Sequence, residues 1–160
     1  MSMRCFLAVD KPLQKTRYPY RMILLGISDN DMLYNDQISF SDKLAEEEEQ
    51  VLGNIFKGFY VYAIHSGFQL NYEPRYKRQL SESAAKNALD ELRWLKRFAK
   101  KRLKSGNVFM IVNLWLGKET VFDHIKTEYI DVNGWELSED KCFEFACNTI
   151  YNFTDNSIRN

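Results

Sequence analysis

Proline and glycine are scarce, three and seven in 160 residues, and no low-complexity run, internal repeat or Ser/Pro-rich linker interrupts the chain. Nothing therefore marks a domain boundary. A chain this long buries enough surface for one core without staples, so residues 1–160 read as a single globular domain. Only two histidines occur, His65 and His124, neither in an HxxH or HExxH arrangement. That argues against a metal centre. The three cysteines, Cys5, Cys142 and Cys147, cannot all pair, and the near two are spaced i, i+5 rather than as CxxC, so buried free thiols are expected. No secretory signal opens the chain, and the longest apolar run, Val108 to Leu116, is too short for a membrane span and includes Asn113. These absences point to a cytoplasmic protein with no membrane partner. A Gly-rich phosphate loop, a GxSxG elbow and a GxGxxG fingerprint are also missing, and no cofactor is expected.

What the chain does have is segregated charge. Lys and Arg total 22 and Asp and Glu total 22, yet Arg75 to Lys104 holds eleven bases against three acids. The acids collect in Ser28 to Lys57, eight against two bases, and in Glu119 to Asn160, nine against three. A neutral protein built this way is a charge dipole, able to offer a basic face to one partner and an acidic face to another.

Hydrophobic periodicity predicts the elements. Met3 to Val9 and Arg21 to Ile27 read as strands joined by a loop carrying Pro12 and Pro19, and Ser28 to Phe40 as an exposed connection. From Asp42, capped by Ser41, Leu44, Val51, Leu52, Ile55, Phe56 and Phe59 recur at helical spacing, with Gly58 releasing the chain. Phe59 to His65 is a strand and Ser66 to Leu80 irregular. Glu82 to Lys104 is a helix with inner stripe Ala85, Ala88, Leu92, Leu95, Ala99 and Leu103, capped by Ser81 and ended by Ser105-Gly106. Asn107 to Leu116 is a buried strand; Gly117-Lys118 turns it into a partner strand, Val121 to Val132, which Asn133-Gly134 closes. Residues 139–153 are ambiguous, because Phe143, Phe145, Cys147, Thr149, Tyr151 and Phe153 alternate like a strand while Phe143, Ala146, Cys147, Ile150 and Phe153 recur like a helix. The Ser138-Glu139-Asp140 start favours a helix. The order β-β-α-β-α-β-β-α implies an α+β fold, a mainly antiparallel sheet of about five strands with about three helices packed on it.

Catalytic constellations are weak. Asp123 and His124 on a strand would face opposite ways. Asp131 with Glu139-Asp140-Lys141 matches the acid and ExK elements of a metal-dependent nuclease, but the ExK residues should then lie on a strand rather than open a helix. Cys142 and Cys147 sit among acids, which raises a thiol's pKa rather than activating it. The Glu46 to Glu49 run points in four directions about 100° apart and reads as a solvated helix face, and Asp29-Asn30-Asp31 lacks the remainder of a calcium loop.

The basic helix carries the functional expectation. Arg93, Arg97, Lys100 and Lys104 follow i, i+4, i+7, i+11 and line one ridge, flanked by Lys96 and Lys101, with Trp94 beside Arg97 and Lys101. Arg75, Tyr76, Lys77 and Arg78 precede it. Arg beside aromatic residues suits a protein interface, and Tyr72, Tyr76, Trp94 and Trp135 all lie near charges. We therefore expect a non-catalytic protein that binds another protein, of the inhibitor, immunity or counter-defence kind, through Arg75, Tyr76, Arg78, Arg93, Trp94, Arg97, Lys100, Lys101 and Lys104. The alternative is a nucleic-acid-binding protein using residues 82–104, against which stands a pI near 6.7. A metal-dependent nuclease, or another enzyme with a dispersed site, is third.

Overall fold

A computed structural model describes residues 2–13, 38–116 and 124–159. The order is β1 (Ser2–Val9), β2 (Ile38–Ser41), α1 (Glu46–Ile55), β3 (Tyr60–Ser66), α2 (Tyr76–Gln79), α3 (Glu82–Lys104), β4 (Phe109–Leu116), β5 (Lys126–Asp131), β6 (Thr149–Thr154) and a 3-10 turn at Asn156–Arg159. The six strands form one sheet, β2-β3-β1-β4-β6-β5. Every neighbouring pair is antiparallel except β5 and β6, which run parallel. The fold is α+β, as expected, with one strand more than expected. No helix among the described residues is long and apolar enough to cross a membrane.

Alternation along the central strands builds two cores. Leu7, Val9, Phe109 and Ile111 point to one face and pack with Leu92, Leu95, Phe98 and Ala99 of α3. Phe6, Ala8, Val112 and Leu114 point to the other and pack with Val51 and Leu52 of α1. The two charged helices thus lie on opposite faces of the sheet.

Several expectations are corrected. The last element is a strand, β6: Thr149, Tyr151 and Phe153 are buried and the residues between them half-buried, so the two-residue period prevails over the helical one. Ser138 to Asp140 does not cap a helix but lies in a turned segment; Lys141 N–H donates to Ser138 O at 3.4 Å, while the Glu139 side chain pairs with Lys77. The aromatic residues of this segment form their own cluster, with Trp135–Phe143, Phe143–Phe145 and Phe145–Tyr151 ring centroids each 5.0 Å apart. Ser41 belongs to β2, and α1 begins at Glu46. Phe59 stands exposed beyond that helix, and Gly58 leaves it at φ 82°, a left-handed turn that favours glycine. The cysteines are not buried as a group: Cys5 is half-buried, Cys142 and Cys147 exposed. The expected strand at 21–27 and the turn at 117–118 lie outside the described residues.

Candidate interaction surface

α3 is positioned from its own sequence. The Ser81 hydroxyl accepts from Ala84 N–H at 3.0 Å, satisfying one orphan donor of the first turn. Ala85, Ala88, Leu89, Leu92, Leu95, Phe98 and Ala99 are buried, and Leu103 packs half-buried at the end. Burying one face fixes the other: Arg97, Lys101 and Lys104 are exposed, and Arg93, Lys96 and Lys100 half-buried beside them. From Arg93 to Lys104 this ridge spans roughly 16 Å at the helical rise.

Part of the positive charge is occupied locally. Arg93 lies 3.7 Å from Asp90, and Lys96 Nζ donates to Trp135 O at 2.6 Å. Arg102, absent from the expected site, turns sideways: its guanidinium donates to Lys11 O at 2.8 Å, lies 4.0 Å from Asp10 and sits 5.9 Å from the Phe98 ring. Burial holds its pKa below the usual arginine range. Arg75 pairs with Glu73, and Arg78 is exposed on α2.

Trp94 requires a correction. It is 1% exposed and stacks on Phe98 at 5.4 Å, near Phe40 at 6.2 Å. The positions flanking the basic ridge in sequence are not all on it, because residue 94 lies on the inner side of the helix between Leu92 and Leu95. Tyr72 and Trp135 are buried as well, and Tyr76 is half-buried with its ring edge-on to Tyr72 at 6.3 Å. The aromatic residues singled out beside the basic positions are thus core or half-buried; the exposed aromatics among the described residues are Phe59, Tyr60, Trp115 and Tyr129, none of them on α3.

α2 packs beside the first half of α3 and closes a cleft of about 310 Å³ with Tyr72, Lys77, Lys86, Leu89, Arg93 and Glu139 on its walls. Tyr72 O–H donates to Glu139 O at 2.8 Å, and Lys77 pairs with the Glu139 side chain. That hydrogen bond holds the Glu139 carboxyl below and the Lys77 ammonium above their ordinary pKa values. These partners are far apart in sequence, and no local pattern announces them.

The remaining candidates are dispersed. Asp131 accepts from Asn133 N–H at 3.3 Å and Asn156 N–H at 3.2 Å, Glu139 holds Lys77, and Lys141 pairs with Glu136. Asp131, Glu139 and Lys141 thus serve separate contacts. His65 and His124 are exposed, Asp123 lies outside the described residues, and among those described no three His, Cys, Asp or Glu side chains are grouped to hold a metal. In the Glu46 to Glu49 run, Glu48 departs from the solvated reading: it is 3% exposed and pairs with Arg4.

No protein-family model, no curated protein and no solved structure matches this chain.

Proposed function

We propose that this is a non-catalytic binding protein that docks an acidic protein surface onto the α3 ridge of Arg93, Arg97, Lys100, Lys101 and Lys104. The observation that carries the reading is the disposition of charge. The ridge occupies the outer side of one helical layer, and the exposed Glu46, Glu47 and Glu49 stand on the far side of the sheet. Charges separated by a sheet do not cancel at either surface, because counterions screen beyond about 8 Å at physiological ionic strength. A complementary partner is then steered to one face in one orientation. Nucleic acid fits this ridge less well: non-specific strand binding draws on aromatics beside the basic groove for stacking, and both aromatics of α3, Trp94 and Phe98, are buried.

The test is a tagged pull-down from native lysate of the source cells at low and high salt, with and without nuclease, comparing wild type with R97E/K101E/K104E. The expected result is a discrete protein that survives nuclease and is lost in the triple variant and at high salt. The variant's unfolding free energy should stay within about 0.5 kcal/mol of wild type, as for surface substitutions. Recovery of nucleic acid, retention of the partner by the triple variant, or recovery of nothing would each overturn the reading.

A further inference from the structure

A row of surface cations steers a partner and sets its orientation, but most binding energy comes from a few side chains buried in pockets. The α3 ridge has no such anchor of its own. Trp94, Leu95 and Phe98 are turned inward, and no large apolar side chain of the helix is exposed. The anchor must then come from the partner, and this surface must hold a place to receive it.

The cleft of about 310 Å³ between α2 and α3 is such a place. Ala85, Leu89 and Tyr72, all buried, give it an apolar lining. Its shape is fixed before any partner arrives. The Tyr72 hydroxyl donates to Glu139 O at 2.8 Å, its ring meets Tyr76 edge-on at 6.3 Å, and Lys77 is held by the Glu139 side chain. A pocket already ordered by its own contacts charges little ordering entropy on binding.

The cleft is continuous with the ridge. At 100° per residue Lys86, Arg93, Arg97, Lys100 and Lys104 fall within an arc of about 60°, so Lys86 extends the basic line toward the start of α3, and Lys86 and Arg93 both border the cleft. Lys77 and Glu139 satisfy one another, which leaves two bases against the single acid Glu82. Lys86 is exposed and has no ion pair or hydrogen bond among the described residues, and Arg93 lies 3.7 Å from Asp90, beyond hydrogen-bond length. These two cations stand roughly 10 Å apart along the helix, with Leu89 between them. In an extended chain the residues two before and two after a given one point the same way as it does and stand roughly 13 Å apart, a span that long Lys and Arg arms can meet.

We propose that the cleft receives one aromatic side chain of the partner, carried on an extended segment whose acids, two residues to either side, pair with Lys86 and Arg93. This rests on the reading of the α3 ridge as a docking surface for an acidic protein, and names the side chain that docks. The test titrates the isotope-labelled full chain, followed by backbone-amide NMR, with blocked pentapeptides that have aspartate at both ends, serine next to each, and either phenylalanine or alanine in the middle. A third peptide keeps the phenylalanine and replaces both aspartates by asparagine. The aspartate–phenylalanine peptide should shift the amides of Tyr72, Ala85, Lys86 and Leu89; alanine should weaken binding by about tenfold or more, the value of burying one large apolar side chain, and asparagine by about threefold, the value of exposed ion pairs. Lys86→Glu, at an exposed position outside the R97E/K101E/K104E set, should weaken the aspartate peptide and leave the asparagine peptide unchanged. Equal binding of the phenylalanine and alanine peptides, shifts confined to Arg97 to Lys104, or no shift at about 5 mM peptide would overturn the proposal. The titration needs no natural partner, so its failure is separate from that of the pull-down: a partner lost in the triple variant leaves the ridge standing even where the peptides ignore the cleft.

Discussion

The 23-residue α3 and the 10-residue α1 cover opposite faces of the same sheet, yet their starts are made differently. α3 begins on a serine whose hydroxyl caps its own first turn, and a continuous stripe of small and large apolar residues seats it on Phe109 and Ile111. α1 begins on Ala45, which has no side chain able to cap. Its first turn is organised instead by Glu48, which accepts from Ala45 N–H at 2.9 Å and pairs with Arg4 on β1. Four acids in the first turn favour the helix dipole, but only Glu48, Val51 and Leu52 of α1 are buried. The difference teaches that α3 is specified locally and needs the sheet only to bury its stripe, whereas α1 depends on an ion pair 44 residues away in sequence.

Breaking the stripe should cost most. Leu92 is fully buried between α3 and the sheet, and Leu92→Ala should destabilise the fold by about 2–5 kcal/mol in denaturant unfolding, the usual cost of a large-to-small core change. A smaller loss would mean that α3 can settle into the cavity.

Next comes Glu91, a buried acid of the same helix. Glu91→Ala leaves the Ser66 hydroxyl and Gly67 N–H without their acceptor and should cost about 1–3 kcal/mol. Burial raises the Glu91 pKa, opposed by its hydrogen bonds from Ser66, Gly67 and Phe68. A carboxyl whose folded pKa lies above its unfolded value binds its proton more readily in the native state. Its contribution to stability is therefore fully present below the ordinary carboxyl range and is lost as pH rises through the folded value. The stability difference between wild type and Glu91→Gln, measured against pH, should fall with rising pH above the ordinary carboxyl range. A flat difference would show that Glu91 titrates as it does in the unfolded chain.

The smallest effect sharpens the contrast. Glu48→Ala should cost about 1–2 kcal/mol, the scale of a lost cap and a partly exposed ion pair, and should loosen α1 without touching α3. Hydrogen exchange read helix by helix would distinguish that from uniform destabilisation.

α3 was legible because cap, stripe and stop signal all occur within one window of sequence, and β4 because its run of Phe, Ile, Val and Leu is too short for a buried helix and rich in strand formers. Residues 139–153 misled because Phe143 to Phe153 satisfies both periods. Position decided it: β6 lies between β4 and β5, where both edges must carry ladder partners, and a helix cannot supply them. Trp94 misled for a related reason, since proximity in sequence to Arg93 and Arg97 says nothing of the side of the helix it occupies.

Composition and pattern thus determined an α+β domain, a capped basic helix and a chain of zero net charge with its signs sorted into blocks. Only the tertiary structure decided that Glu46 to Glu49 lie across the sheet from α3 while the acidic segment around Glu139 packs on the α3 face, that Tyr72, Trp94 and Trp135 are core, and that β1 and β3 separate beyond Phe6 and Ala63. The reason is physical. Helix caps and apolar stripes are interactions between residues a few positions apart, whereas the burial of Glu48 and Glu91, the Lys77–Glu139 pair and the end of the β1–β3 ladder arise from contacts between distant segments, which no local window of sequence contains.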